Sequence, residues 1–256
     1  MYLCARLFLV PLGFFFLFVA KAGFCSSPKN IEETILAASG TIFCDGFVRG
    51  SGLHIYRSAR QHSIIITAAH VIFDESSKGL FERCSYRPNN MRLQEVPFAD
   101  ISTYGYSPYD LDTVKQSETD LAFVALTRKL YQSTFHLSTK RTNVQRVDPS
   151  QTLRIIAYNS TTNQIEVSKA CESIESPNFT NKSLILHNCP AGPGSSGALI
   201  IDTNDNRLIG IHGGTLLIHK EILSSGKSNS ISRLRQGRII DAEVVAAFEK
   251  FRSDAL

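Results

Sequence analysis

The sequence predicts an all-β fold that ends in an α-helix. Short runs rich in β-branched and aromatic residues recur along the chain, separated by polar turns, with no internal repeat and no low-complexity tract. Many brief strands at short spacing are typical of barrels and sandwiches, whereas βα units would place helical patterns between the strands. The predicted strands span residues 47–55, 63–67, 121–126, 152–158, 164–170, 183–187, 197–201 and 207–212.

The predicted strands fall into two groups separated by a polar segment. Residues 131–150 are rich in Thr, Ser, Arg and Gln and have no clear period, so we interpret them as a linker. A chain of 256 residues is long enough for one compact domain or for two tightly packed halves. We therefore expect a first half over residues 30–130 and a second over 151–240, within one domain that spans 23–256.

The last predicted element is a helix over residues 241–252. Asp241 can serve as its N-cap, because a carboxylate accepts hydrogen bonds from the backbone N–H groups of a first turn. The apolar residues that follow recur at helical spacing and form one face, made of Val244, Val245, Phe248 and Phe251. We expect this face to pack against the second half, and a partner-binding groove is the alternative.

The N-terminal residues predict export. Arg6 precedes an apolar run over residues 7–20, and small residues follow at positions 20 and 22. This order is typical of a secretory signal peptide, so we expect residues 1–22 to be removed and the protein to be secreted or periplasmic, without stable membrane association. The alternative is an uncleaved membrane anchor, because the apolar run is nearly long enough to span a bilayer. Both interpretations place the domain outside the cytoplasm.

The charge of the chain argues against a polyanion as its partner. The chain has 27 Lys and Arg against 23 Asp and Glu, and loss of the signal peptide removes Arg6 and Lys21, leaving 25 basic residues. A near-neutral balance without a basic cluster lacks the electrostatic footprint of a nucleic-acid-binding protein. We expect the short basic segment 233–238 to be exposed to solvent, and we predict no cofactor.

The cysteines predict disulfides and no metal site. Six occur, at positions 4, 25, 44, 84, 171 and 189. An exported chain meets an oxidising environment, and the spacings contain no CxxC or His-rich pattern that would favour zinc. Pairing by halves gives Cys44 with Cys84 and Cys171 with Cys189. Cys25 is then left over, either as a free thiol or as a residue removed with the signal.

His70 and Asp120 are the first two candidates for chemistry. His70 follows the apolar strand 63–67 and two alanines, whose small side chains leave one face of the ring open. Asp120 directly precedes the next apolar strand, and a carboxylate at the buried start of a strand needs a donor. An imidazole N–H would satisfy it and would fix the tautomer of the ring. Asp110 and Asp112 are alternatives, but they lie in a polar turn.

A glycine-rich turn over residues 192–199 supplies the third candidate, Ser196. A nucleophilic serine in acyl transfer needs an exposed hydroxyl and adjacent backbone N–H groups that point at the developing oxyanion. Gly194 and Gly197 flank the serine and permit the tight turn that this arrangement requires.

Together the three segments resemble the trypsin-like (chymotrypsin-fold) serine proteases. The matching motifs are Thr-Ala-Ala-His at 67–70, Asp-Leu-Ala at 120–122 and Gly-Ser-Ser-Gly at 194–197. Their order of His, Asp and Ser is the order of this family, whereas subtilisin-like and α/β-hydrolase enzymes use other orders. The resemblance covers residues 40–215 and implies two six-stranded Greek-key β-barrels with the site in the cleft between them.

The resemblance also implies a function. The protein would be a serine endopeptidase that cleaves protein or peptide substrates through an acyl-enzyme, and we expect it to be a monomer. Ser196, rather than Ser195, would attack the carbonyl carbon. His70 would act first as general base and then as general acid, and Asp120 would orient its ring. The backbone N–H groups of Gly194 and Ser196 would form the oxyanion hole.

The segment around the serine departs from the digestive members of the family. These carry an Asp where this chain has Ser195, and residues 23–45 contain no activation site that would free an N-terminal amine to pair with it. The oxyanion turn must therefore be held by other means, for which a Cys171–Cys189 disulfide is a candidate. The segment 189–197 looks most like the glutamyl-endopeptidase-like, bacterial trypsin-like secreted branch.

The strand after the serine turn points to substrate preference. His212, Gly213 and Gly214 lie on a segment that resembles the substrate-pairing strand of the family. His212 occupies the position where Glu-preferring members place a histidine. The sequence therefore favours cleavage after Glu, and secondarily after Gln or Asp, with packing behind the pocket as the alternative role of His212.

Other residues of the expected pocket bear on this preference. Ala191 weakens it because it has no hydroxyl to share the substrate carboxylate, and Pro190 replaces the Asp of trypsin, which disfavours cleavage after Lys or Arg. A neutral imidazole offers one N–H donor, so a buried carboxylate needs a protonated ring or a second donor. Thr215 or a serine from 224–232 is a candidate.

Two functions from other classes compete with the endopeptidase. A relative that keeps the fold and only binds would use the same cleft without chemistry, although all three candidate residues are present in this chain. An esterase would use the same three residues on a different bond.

Overall fold

The structure is a computed structural model that describes residues 31–58, 62–74, 76–89, 94–137, 151–175, 179, 181–205, 207–220 and 230–255. The predicted signal peptide, Cys25, linker residues 138–150 and the serines at 224–228 lie outside the described residues.

The first half forms a closed antiparallel barrel. Its strands are β1 (Ser39–Cys44), β2 (Phe47–Arg57), β3 (Ser63–Thr67), β4 (Phe73–Asp74), β5 (Gly79–Leu80), β6 (Cys84–Pro88), β7 (Val96–Ser102) and β8 (Ala122–Leu126). The barrel order is β1-β2-β3-β8-β7-β6, and β6 pairs back onto β1, while β4 and β5 form a separate ribbon. Return of β6 to the side of β1 after three consecutive strands makes this a Greek key. Every residue of β3 and β8 is buried.

The second half is a seven-stranded antiparallel sheet. Its strands are β9 (Thr152–Asn159), β10 (Gln164–Val167), β11 (Cys171–Glu172), β12 (Leu184–His187), β13 (Leu199–Asp202), β14 (Arg207–Lys220) and β15 (Ser230–Ile239). They follow the order β10-β9-β13-β14-β15-β12, and the short β11 also pairs with β9. The predicted all-β class is confirmed, and β11 gives this half one strand more than six.

Three α-helices accompany the strands in the described part of the chain: α1 (Ile31–Ala38), α2 (Thr113–Glu118) and α3 (Ala242–Asp254). The sequence predicted only α3. The carboxylate of Asp112 caps α2, accepting from the N–H groups of Val114 (2.9 Å) and Lys115 (3.1 Å). In α3 the predicted N-cap is confirmed, since Asp241 accepts from the N–H of Val244 at 3.0 Å.

The apolar face of α3 packs on the first barrel, not on the second half as expected. The ring of Phe248 lies 6.3 Å from that of Tyr56 on β2 and 5.8 Å from that of Phe123 on β8. Phe251 stacks on Phe123 at 6.2 Å. Helical periodicity shows which face of a helix is apolar, but the tertiary structure decides which surface covers it. The C-terminal segment therefore leaves the second half and covers an apolar surface of the first barrel.

Both expected disulfides are present. Cys44 and Cys84 lie opposite each other in the β1–β6 pair, which joins the two strands that close the barrel. Cys171 on β11 pairs with Cys189, which follows β12. The second bridge ends seven residues before Ser196, as the sequence suggested, and so anchors the start of the serine turn.

Part of the basic segment 233–238 is buried, contrary to the expectation that it faces solvent. Arg238 is 2% exposed. Its guanidinium donates to the carbonyl oxygen of Glu118 (2.9 Å) and to the carboxylate of Asp241 (2.8 Å). Because these contacts join the end of α2 to β15 and the start of α3, Arg238 is a structural residue.

Candidate active site

Three separate elements bring His70, Asp120 and Ser196 together. His70 lies in a short 3₁₀-helix (Ala69–Ile72) directly after β3, and Asp120 lies between α2 and β8. Ser196 lies in the turn before β13, in the second half. The backbone N–H of Ser51 on β2 donates to the carbonyl oxygen of Ser196 at 2.7 Å. The site is therefore assembled across the interface between the two halves.

The three side chains form a continuous hydrogen-bond chain. Nδ1 of His70 lies 2.7 Å from Oδ2 of Asp120, and Nε2 of His70 lies 2.7 Å from Oγ of Ser196. The backbone N–H of His70 also donates to Oδ1 of Asp120 at 2.9 Å. A carboxylate only accepts, so Nδ1 carries a proton, and Nε2 of the neutral ring can take the proton of the serine hydroxyl.

Burial strengthens this arrangement. The side chain of Asp120 is 6% exposed, whereas that of His70 is 33% exposed on its open side. Charge–charge attraction is stronger where water is excluded, so a buried Asp120 carboxylate stabilises a protonated His70 ring. The alternatives named from sequence have other partners: Asp112 caps α2, and Asp110 pairs with Lys115 at 3.4 Å.

The turn before Ser196, together with Ser196 itself, carries the two backbone N–H groups that were named from sequence as oxyanion donors. The N–H of Ser195 donates to the carbonyl oxygen of Gly192 at 3.0 Å, and Gly194 has φ +87°. These are the features of a type II turn, for which Pro at the second position and Gly at the third are typical. Within the described residues, the N–H groups of Gly194 and Ser196 donate to no acceptor. The two donors named from sequence are thus available beside the Ser196 hydroxyl.

Two glycines of this turn, Gly194 and Gly197, have no room for a side chain. A Cβ on Gly194 would lie 2.6 Å from the ring of Tyr158, and one on Gly197 would collide with the carbonyl oxygen of Ser51. Ser195 turns inward and is 4% exposed, and its Oγ accepts from the N–H of Gly192 at 2.9 Å. Ser195 is therefore part of the turn's internal support.

Three of the four residues expected to contact substrate, His212, Gly213 and Gly214, lie on β14, whereas Ala191 lies between β12 and β13. His212 is opposite Gly237, and Arg235 is opposite both His187 and Thr215. Alternate residues of a strand share one face, and so do residues opposite each other on neighbouring strands. The side chains of His187, His212, Thr215 and Arg235 therefore lie on the same face of the sheet. Gly213 lies against the site itself, because a Cβ there would be 2.9 Å from Oδ2 of Asp120.

His212 and His187 form a buried, neutral pair. Nδ1 of His212 lies 3.1 Å from Nε2 of His187 and 3.0 Å from the carbonyl oxygen of Gln236. Burial lowers the pKa of His212 to about 4 and that of His187 to about 3. If Nδ1 of His212 accepts a hydrogen bond from Nε2 of His187, the proton of the His212 ring is on Nε2. If Nδ1 instead donates to the carbonyl oxygen of Gln236, that proton is on Nδ1. In both tautomers the ring is uncharged at neutral pH.

Arg235 adds a permanent positive charge to this face. Its guanidinium donates to the carbonyl oxygens of Cys189 (2.7 Å) and Ala191 (3.3 Å), which precede the serine turn. None of the described Asp or Glu side chains forms an ion pair with it. A guanidinium has five N–H donors, so donors remain after these contacts. Its charge contributes to the low pKa of both neighbouring histidines.

Three residues of the site were not named from sequence: Ser51, His187 and Arg235. Ser51 lies between two glycines in a predicted strand and has no local motif that indicates a role. Arg235 lies in the segment that was expected to be exposed. Pro193-Gly194 was a usable signal, since this dipeptide is typical of the type II turn that the structure contains.

Neither a metal centre nor a membrane span is found among the described residues. No three His, Cys, Asp or Glu side chains in these ranges come close enough to hold a metal ion together. None of the helices in these ranges is long and apolar enough to cross a bilayer.

The fold and the geometry define the class: a chymotrypsin-type fold with a His, an Asp and a Ser linked across the cleft. The profile of the trypsin-like peptidase domain matches residues 44–211, well over half of the chain. The chain therefore belongs to the trypsin-like peptidase family and is a serine endopeptidase.

Solved structures show the same fold at low sequence identity. A Glu endopeptidase is 14% identical, with a TM-score of 0.59 and coverage of 85% of this chain and 91% of that one. Kallikrein-related peptidase 10 is 12% identical, with a TM-score of 0.55 and coverage of 86% and 98%. None of the curated proteins matches the chain significantly.

Proposed function

We propose that the protein hydrolyses peptide bonds through an acyl-enzyme on Ser196. The observation that carries this proposal is the hydrogen-bond chain from Asp120 through His70 to Ser196. Oγ of Ser196 attacks the scissile carbonyl carbon while its proton passes to Nε2 of His70. His70 then gives this proton to the leaving amine. A water molecule, deprotonated by the same ring, releases the acyl group and restores the serine.

The backbone N–H groups of Gly194 and Ser196 stabilise the oxyanion of each tetrahedral intermediate. Two observations support this role. Neither N–H group has an acceptor among the described residues, and a type II turn precedes Ser196. Such donors are worth most when they are already in place, because no reorganisation is then needed as charge develops.

We also propose that the residue before the scissile bond is acidic, with Glu preferred to Gln or Asp. His212 alone does not suffice, since its lowered pKa leaves it neutral and able to offer one proton. Arg235 lies on the same face and supplies both charge and further donors, whichever tautomer His212 adopts. Thr215 is opposite Arg235 and adds a hydroxyl. Two histidines and an arginine that has no acid partner among the described residues favour a carboxylate as ligand.

The nucleophile is tested by labelling with a fluorophosphonate, which reacts covalently with an activated serine. We expect the wild type and S195A to be labelled on residue 196, and S196A not to be labelled. S195A removes a hydroxyl of the same turn and is therefore the matched control. Labelling of S196A together with loss in S195A would reassign the nucleophile. A folded wild type that does not react would favour the non-catalytic alternative, and cleavage of esters without peptides would favour the esterase.

The acidic preference is tested by cleavage of a peptide library. The wild type is expected to cleave after Glu in preference to Leu, and R235A to lose about 10- to 100-fold of that selectivity, because a hydrogen bond to a charged group contributes roughly 1.5–3 kcal/mol. H212A should also lose selectivity, while both variants keep their rate of fluorophosphonate labelling. R154A is the control, because Arg154 also belongs to the second half but pairs with Glu32 on α1. Equal cleavage after Glu and Leu by the wild type would contradict the proposal.

We propose the following organisation of the whole chain. Residues 1–22 are a secretory signal peptide, residues 131–150 link the two halves, and the mature domain is a secreted or periplasmic monomer. The two disulfides support an oxidising compartment, where such bonds form and persist.

A further inference from the structure

We infer that Ser51 is a positioning residue that holds the oxyanion turn in its active shape from the opposite half of the molecule. This inference rests on the proposed function, because it concerns the donors that would stabilise the oxyanion. Ser51 lies on β2 of the first barrel, 143 residues before Gly194, and is 1% exposed.

The hydroxyl of Ser51 joins the two halves at the base of the turn. It donates to the carbonyl oxygen of Gly194 at 3.0 Å and accepts from the N–H of Tyr158 on β9 at 2.8 Å. The backbone N–H of Ser51 donates to the carbonyl oxygen of Ser196 at 2.7 Å. One residue therefore holds the carbonyl groups of both residues whose N–H groups face the oxyanion.

Ser51 is itself fixed in place. Oγ1 of Thr67, on the neighbouring strand β3, donates to its carbonyl oxygen at 2.7 Å. The N–H, the carbonyl oxygen and the hydroxyl of Ser51 thus each have at least one hydrogen-bond partner. Because hydrogen bonds fix both its backbone and its side chain, Ser51 holds the turn in a constant position relative to the barrel.

The turn needs such a hold because of its own composition. Gly194 has wide conformational freedom, so the peptide groups around it can rotate and aim an N–H away from the cleft. Residue 195 is a serine, and its hydroxyl supports the turn only from within, through the N–H of Gly192. The hydroxyl of Ser51 ties Gly194 to the other half through a side-chain hydrogen bond.

The test is S51A, assayed on the peptide that the wild type cleaves best. We expect kcat to fall by about 10- to 100-fold, less than the roughly 10²–10³ lost when one oxyanion donor is removed, because the N–H groups remain but are no longer held. KM should change little, since the carbonyl of the bound substrate carries no oxyanion before the attack. Affinity for a transition-state analogue such as a peptide boronate should fall by the same factor as kcat.

Two further variants separate the hydroxyl from its packing. S51C keeps the shape of the side chain but replaces a strong donor with a weak one, and should lose part of the activity. S51T restores the hydroxyl that S51A lacks and should recover kcat. The control is S39A, since Ser39 on β1 is equally buried and its hydroxyl likewise donates to a backbone carbonyl, that of Ile35 at 2.7 Å, away from the site.

The outcomes distinguish this inference from the function on which it rests. A folded S51A with the kcat and boronate affinity of the wild type would overturn the inference while leaving the protease intact. Equal losses in S51A and S39A that follow their melting temperatures would also overturn it, as they would show a purely structural role. Failure of the wild type to react with fluorophosphonate would overturn the proposed function, and this inference with it.

Discussion

Replacing Ser196 or His70 by Ala is expected to lower kcat by about 10⁴- to 10⁶-fold, because serine and imidazole act as one unit and either loss stops nucleophilic attack. The two atoms concerned, Oγ and Nε2, lie 2.7 Å apart. For the same reason the double variant should be scarcely less active than either single variant. Steady-state hydrolysis of the best library peptide measures kcat and KM for all three.

H62A is the matched control for His70. The ring of His62 is also half-buried, and its Nδ1 lies 3.2 Å from the carbonyl oxygen of Leu126, outside the site. H62A should keep the kcat of the wild type. A double variant whose loss equals the product of the two single losses would contradict a shared mechanism.

D120N is expected to lower kcat by about 10⁴-fold, as in proteases where this substitution leaves the structure intact but fixes the wrong imidazole tautomer. Oδ2 of Asp120 now accepts from Nδ1 of His70. An amide nitrogen at that place would donate to Nδ1 and force the proton to Nε2, which could then no longer accept from Ser196. The effect should appear in kcat, and the far-ultraviolet circular dichroism should be unchanged.

D112N tests whether the effect belongs to this carboxylate. Asp112 lies eight residues upstream and caps α2, so the amide should reduce stability by no more than about 1 kcal/mol and leave kcat unaltered. Wild-type kcat in D120N, or similar losses in D112N and D120N, would remove Asp120 from the mechanism.

The local sequence pattern predicted those elements in which every residue is buried or in which the apolar residues form one face. Strand β3, with every residue buried, was predicted at its observed bounds, and α3 was predicted from its cap and apolar spacing. By contrast, β7 was not predicted, because its buried, half-buried and exposed positions do not alternate regularly along the strand. The two-turn helices α1 and α2 also went unpredicted, since a short helix shows little periodicity.

The sequence by itself determined the candidate nucleophile, base and carboxylate, since His70, Asp120 and Ser196 stand in local motifs whose order is specific to one family. It also determined the disulfide partners, because four body cysteines pair most simply by halves. These are statements about short segments and their order along the chain.

Only the tertiary structure decided which distant residues support the site. Ser51 meets Gly194 across 143 residues, and Arg235 reaches the carbonyls before the serine turn from a segment that reads as exposed. Neither residue has a local signature, because a hydroxyl in a strand and an arginine in a basic run acquire their roles from the groups packed against them. The periodicity of a segment is set by its own backbone, whereas its contacts depend on which surfaces the whole chain buries together.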